Sequence, residues 1–452
     1  MASKSTTVGK IDDEVLAYTA GKDILLDRNL VREDCIGSAA HAVMLSRMPV
    51  KPAIITPTQV KKIIRALKGI IAQHEAGKFK ITPADQDVHL AVERALTRNL
   101  GDLGKKIHTG RSRNDQVALD LRLFAKTRLL DLIDGTAALA EVMNKLGKKH
   151  AKLPMVGRTH MQKAMPSSVG LWATGFTEVL LDDIELLKAA YALNNRCPLG
   201  AAAGFGVPLP IDRQLSSDLL GFEAPVHNVT HAVNARGKVE SVILSACGQV
   251  MLSLSRLAQD LILYTMPEFG YFTLPAAFCT GSSIMPNKHN PDVMELLRAR
   301  ASVVLAHAQT TLNILNGAPT GYNRDLQETK EPFMEGLALT AASVRISTRC
   351  LANIQVNRQA LLDGFSPDVF ATDRAIELVG QGTPFRDAYH QVKAHLDELE
   401  QVDPVEAIAK KTHLGATAGL DFTAYSKQVR AVRAWAAKQR QAFGRKIARL
   451  MA

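Results

Sequence analysis

V-E-S-V-I-L-S-A-C-G-Q-V-M-L-S-L-S-R-L-A-Q-D-L-I-L-Y, residues Val239 to Tyr264, places Val239, Ile243, Val250, Leu254, Leu257 and Leu261 at helical rather than alternating intervals. No proline falls between Val226 and Met266. A helix of around 30 residues there spans about 45 Å. Working outward, Val117 to His150 keeps the same period through Val117, Leu121, Phe124, Leu130, Ile133 and Leu139. Leu26 to Leu45, Thr58 to Glu75, Ser167 to Ala192 and Met294 to Leu312 read likewise, the second with Val60, Ile63, Ile64, Leu67 and Ile71 on one stripe and lysines opposite. No strand pattern separates these rods. The expected fold is all-α, with a long central helix bundle shared among subunits, because one chain cannot bury every face of each rod. Beyond about Asn353 the apolar density falls and segments shorten, which suggests a small C-terminal domain. The expected division is 1–109, 110–353 and 354–452. The basic last helix, Tyr425 to Leu450 with Trp435, reads as having a solvated face.

Composition narrows the class. Aromatic residues make up only 5% of the chain and the apolar share rests on Ala, Leu, Val and Ile, a balance that favours helix over sheet. The formal charge of +11 comes from dispersed basic residues with no aromatic interleaving, so an anionic small molecule, not nucleic acid, is the expected partner. Five well-separated cysteines without a C-x-x-C pair argue against disulfides and zinc. The N-terminal residues lack an apolar core of signal-peptide length, and no run approaches the roughly 18 apolar residues of a membrane span. The expectation is a reduced, cytoplasmic protein with no membrane partner, no metal and no cofactor.

Chemistry concentrates in polar clusters between the rods. Cys279 to Glu295 reads C-T-G-S-S-I-M-P-N-K-H-N-P-D-V-M-E, a small flexible loop emptying into a helix for which Asn290 is the expected N-cap and Pro291 the first residue. Lys288, Asn290 and backbone N–H groups suit a carboxylate or a developing oxyanion, which suggests acid chemistry. His108 to Gln116, H-T-G-R-S-R-N-D-Q, packs arginines, a serine, an asparagine and an aspartate into one turn, which is costly unless they meet solvent or a polar ligand. Gly101, Gly104 and Lys105 lack P-loop spacing, and G-A-A-A-G-F-G before P-L-P-I-D-R follows no strand, so neither is a nucleotide motif. P-M-V-G-R-T-H-M-Q-K-A-M-P, Pro154 to Pro166, breaks the helical pattern around Thr159 and His160. There an imidazole can face a cavity.

The run G-S-S-I-M-P-N-K-H-N-P-D resembles the G-S-S-x-M-P-x-K-x-N-P loop of the fumarase/aspartase superfamily, homotetrameric enzymes that eliminate fumarate from succinyl compounds. H-T-G-R-S-R-N-D-Q, T-H-x-Q at Thr159, D-R-N-L-V-R-E-D-C-I-G-S and Y-N-R-D-L-Q-E-T-K-E-P narrow the resemblance to the argininosuccinate lyase family across nearly the whole chain. That resemblance implies a carbon–nitrogen lyase of arginine biosynthesis. Ser282 would be the base, ionised with help from Lys288, and His160 would handle the second proton, oriented by Glu295. Arg113 and Asn114 would grip the succinyl carboxylates, and Tyr322, Gln327 and Lys330 the amino-acid end. Ser112, Thr159, Gln162, Arg236, Asn290 and His89 complete the substrate contacts so implied. The chain departs from the family at Asp23, where serine is usual, and at Lys163, His231, Gly237 and Ala388-Tyr389. These changes bear on the amine half of the substrate. Two alternatives stand beside this reading: a fumarate-releasing lyase of another N-succinyl amine or amino acid, and an inactive crystallin-like structural protein. Retention of Ser282, His160, Lys288 and Arg113 weighs against the second.

Overall fold

A computed structural model describes residues 12–452, together with the backbone pairing of Ser5–Thr6 with Gly9–Lys10. Its axis is the helix Arg113–Lys149, 37 residues and so about 55 Å long. Against it or against each other lie Val169–Asn194, Lys238–Tyr264 and Asp292–Leu315, rods expected from the apolar period, and Lys330–Ala352, a rod that was not read from the sequence. Val117, Leu121, Phe124, Leu130, Ile133 and Leu139 are all buried in one continuous core, which also takes Val239's neighbours Ile243, Val250, Leu254, Leu257 and Leu261. The last helix, Phe422–Leu450, runs along the Arg113 helix. It buries Val429, Val432, Ala436 and Phe443, while Arg433 reaches Asp134 and Glu141 at 3.1 and 3.3 Å on the wet side. Three shorter helices, Val31–Arg47, Pro57–Glu75 and Val88–Leu100, form the N-terminal part. The second starts on a capping box, Thr56 with Gln59, with Pro57 at its first position.

Three expectations need correction. Lys238–Tyr264 is long and apolar enough to cross a membrane by length and composition, with a mean hydropathy of 1.4 over its most apolar stretch; 61% of that stretch is buried inside the protein. It is a core helix, apolar on several sides because it packs against three other rods. Residues 154–168 are not an irregular break but an antiparallel hairpin, Pro154–Thr159 with Gln162–Ser168, bulged at Gly157/Arg158. A two-stranded ribbon has two free edges, so Pro154 and Pro166 need not remove a ladder hydrogen bond. Finally, Asn290 does not cap the helix after the loop: that helix begins at Asp292 behind Pro291 without a side-chain cap. The backbone N–H of Asn290 instead donates to Thr280 O at 2.8 Å, and Thr280 N–H returns the bond at 3.1 Å. The pair closes residues 281–289 into a loop. All five cysteines are unpaired.

Candidate active site

One cleft of about 140 Å³ gathers side chains from five separate stretches of the chain. The first is the start of the Arg113 helix. Ser112 is its N-cap, its Oγ accepting from Asn114 N–H at 3.3 Å, and Asp115 Oδ1 accepts from Ser112 N–H at 3.0 Å. This box turns Arg113 and Asn114 toward the cleft, so Ser112 acts on the backbone. The second carboxylate oxygen of Asp115 accepts from Gly200 N–H at 3.0 Å and Ala202 N–H at 2.9 Å, tying the Gly-rich loop to the same helix end. Burial pushes the Asp115 carboxyl up to about 6 against those hydrogen bonds. Arg113 Nη1 lies 3.2 Å from Asp87 Oδ2, and Asp87 itself caps the helix Val88–Leu100.

His89 forms part of the cleft wall and is anchored from behind. Its Nδ1 is 2.7 Å from Asp34 Oδ1 and 3.6 Å from Asp120 Oδ2, all three side chains being buried. Burial lowers the imidazole pKa, but the hydrogen bond and charge of Asp34 outweigh it and the net shift is upward. With Nδ1 committed to Asp34, Nε2 is the ring nitrogen left for a ligand, and the upward shift favours the protonated form in which it donates. The Asp120 carboxyl is pushed well above the usual range, by burial first and the Asp34 charge next. The ligating atoms of Asp34, His89 and Asp120 lie within 4.8 Å of one another, but the short Nδ1–Oδ1 contact makes the group a hydrogen-bonded dyad with a neighbouring acid.

The opposite wall is built on the start of Lys330–Ala352. Lys330 Nζ sits 2.6 Å from Asp27 Oδ1 and 2.8 Å from Asp23 Oδ1. Gln327 Nε2 donates to Thr19 O at 3.0 Å and Arg324 Nη2 to the same carbonyl at 2.6 Å, fixing this turn against the short helix Asp13–Ala20. Tyr322 faces the Arg236 guanidinium at 5.8 Å, and Arg236 is buried with its Nε unpaired. Arg113, Asn114, Arg236, Tyr322, Gln327, Lys330 and His89 thus converge as expected.

The remaining residues do not join them. Thr159 and Gln162 are the last paired residues of the hairpin, and His160 with Met161 forms its tip. Both tip residues hold positive φ, 51° and 64°, a two-residue turn whose left-handed positions usually go to Asn-Gly. Each costs on the order of 1–3 kcal/mol, strain of the kind found where a side chain must be presented outward. His160 is exposed. Ser282 lies in the closed loop 281–289, its Oγ accepting from Ile284 N–H at 3.3 Å and Met285 N–H at 3.0 Å. Lys288 and Glu295 are exposed, Asn290 half so. Among the described residues no hydrogen bond or ion pair joins His160 to Glu295 or Ser282 to Lys288, and none of these groups lines the cleft.

Several residues of this site were not singled out from the sequence: Asp27, Asp34, Asp87, Asp115, Asp120 and Arg324. One signal was available, since Asp120 falls three residues after Val117 and four before Phe124, a carboxylate on the buried stripe of an apolar rod.

The arrangement has known counterparts. The family model described as Lyase matches residues 16–306. An argininosuccinate lyase of Sorangium cellulosum is 43% identical over 415 residues, 91% of this chain and 95% of its own. That of Parabacteroides distasonis is 39% identical over 423 residues, 94% of each. That of Thermotoga neapolitana is 38% identical over 382 residues, 84% of this chain and 95% of its own. Among solved structures, EDDS lyase in complex with formate matches with a TM-score of 0.81 at 23% identity, over 100% of this chain and 97% of that one. A class II fumarase of Schistosoma mansoni matches at 0.70 and 18% identity, over 89% and 98%. At these identities the structures speak for the fold.

Proposed function

This chain belongs to the Lyase family and, within it, to the argininosuccinate lyases, and from that premise we propose that it splits argininosuccinate into arginine and fumarate at sites completed by neighbouring copies of itself. The observation that carries the proposal is the separation just described. One charged cleft holds binding groups, while the proton-handling groups Ser282 and His160 stand outward on other surfaces of the same chain. A homotetramer with a shared bundle brings such surfaces together. Leu252, Leu296, Val303 and Leu312, exposed along the Lys238 and Asp292 helices, are the apolar faces such a bundle covers. On this reading the chain is cytoplasmic, the bundle spans 110–353, and smaller units at 1–109 and 354–452 flank it.

In the reaction a proton leaves the carbon beside a succinyl carboxylate and the carbon–nitrogen bond breaks. The intermediate charge spreads into that carboxylate, so fixed donors must already surround it. Arg113, Asn114 and His89, when protonated, supply donors from the cleft; Lys288, Asn290 and loop N–H groups supply them from the 281–289 loop. Ser282 removes the proton, and His160, with Glu295 on the helix after the loop, returns one to the departing nitrogen. Thr159 and Gln162 flank His160 at the hairpin tip. Tyr322, Gln327 and Lys330 hold the amino-acid end.

Incubating the purified protein with argininosuccinate and a panel of N-succinyl amines, and following fumarate, tests the substrate. Argininosuccinate is expected to give the highest kcat/KM. A site whose polar groups are left unpaired rejects an analogue by up to about 10,000-fold, so a higher value for another compound would reassign the amine half. Fumarate release from none of them would support a structural role instead. Equilibrium sedimentation is expected to show a tetramer; a stable, fully active monomer would sink the composite site.

A further inference from the structure

We infer that Asp23 determines which amine half the cleft accepts, by pairing with the free α-ammonium of an amino acid. The inference rests on the proposed reaction only for the succinyl end of the substrate. Lys330 stands between two carboxylates, Asp27 Oδ1 at 2.6 Å and Asp23 Oδ1 at 2.8 Å, so this wall carries one negative charge more than positive. The excess does not face the protein through Asp27, whose side chain is only 1% exposed and whose Oδ2 accepts from Val88 N–H at 3.1 Å. Asp23 Oδ2 has no hydrogen-bond partner among the described residues, and the Asp23 side chain lines the cleft with 11% of its surface open. The uncompensated charge is therefore presented to the ligand. Burial raises the Asp23 pKa, with the Lys330 charge opposing it, the mark of a carboxylate short of counter-charge.

The rest of the cleft offers the reverse. Arg113, Arg236 and Arg324 are cations suited to carboxylates, and the cleft's other surface carboxylate, Asp87, already has Arg113 at 3.2 Å and Leu90 N–H at 2.9 Å, so among the described carboxylates of the cleft Asp23 is the one with an oxygen to spare for a cation. A ligand with carboxylates toward the arginines and an ammonium toward Asp23 leaves no buried charge unpaired, whereas a neutral group at the Asp23 end does. Serine at this position would leave Lys330 and Asp27 a matched pair and the wall neutral. Such a wall would lose its preference for an ammonium.

Titration calorimetry with arginine and with 5-guanidinopentanoate, which is arginine without its α-amino group, isolates this contact. The protein is expected to bind arginine about 10- to 100-fold more tightly than the des-amino compound, the range of a hydrogen bond to a charged group. Asp23→Ser and the isosteric Asp23→Asn should bring the ratio close to one while succinate binds all three proteins alike, which also shows that both variants fold. With argininosuccinate the variants should raise KM by a similar factor and change kcat by only a few-fold. Equal binding of the two compounds by the unaltered protein, or an undiminished ratio in both variants, overturns the inference. Arginine discrimination without fumarate release from argininosuccinate would overturn the proposed reaction and leave Asp23 its role.

Discussion

Ser282→Ala is expected to lower the turnover number for fumarate release by about 100- to 10,000-fold, the usual loss of a proton-transfer group and the role proposed for this serine, with KM nearly unchanged. The reason for so selective an effect is local. Ser282 lies in a loop held at its stem by the Thr280–Asn290 backbone pair and by Thr280 Oγ1 donating to Asp292, none of which involves the serine side chain. Its Oγ accepts two loop N–H groups, donors that also favour an ionised oxygen. Removing the hydroxyl deletes the proposed proton acceptor and leaves the proposed binding cleft untouched, because no residue of the loop lines it within the chain. Turnover number and KM, measured side by side with the melting temperature, decide the matter. An unchanged turnover number hands the base role to another group, His160 first.

Lys330→Met should destabilise the fold by about 3–5 kcal/mol and abolish activity, since it strips the counter-charge from two carboxylates that stay buried. Denaturant midpoints report the loss. It should be greater at pH 8 than at pH 5. Burial already raises the Asp23 carboxyl against the Lys330 charge; without the ammonium that rise is unopposed, and stability tied to a raised pKa is present at low pH and lost as pH rises. Adding Asp27→Asn to the variant should recover part of the stability by removing one of the stranded charges. A loss independent of pH, or no recovery in the double variant, would mean that the triad contributes packing and little charge.

Much of the architecture could be read from residue order alone. The helical period of Val117 to Leu139 and of Val239 to Leu261 is a local property, and each rod formed where its apolar spacing placed it, the first behind the Ser112 cap. The hairpin was not legible, because its strands alternate poorly and its turn is made by His160 and Met161 instead of a Gly-containing pair. Nor was it legible that Asn290 would fail to cap the following helix, its backbone being claimed by Thr280, a partner on the far side of the loop.

The sequence by itself determined the helical class and the chemical repertoire, since spacing along one rod and the presence of Ser282, His160, Lys288 and Arg113 need no knowledge of what lies opposite. Only the tertiary structure decided which of these groups share a cleft and what charge each one faces. Lys330 meets Asp27 from 303 residues away, Asp34 reaches His89 across 55, and Asp115 collects the Gly-rich loop from 85 and 87. Such pairings follow from how rods tens of ångströms long lie side by side. A carboxylate's hydration and its counter-charge are set there by neighbours in space, whatever their distance along the chain.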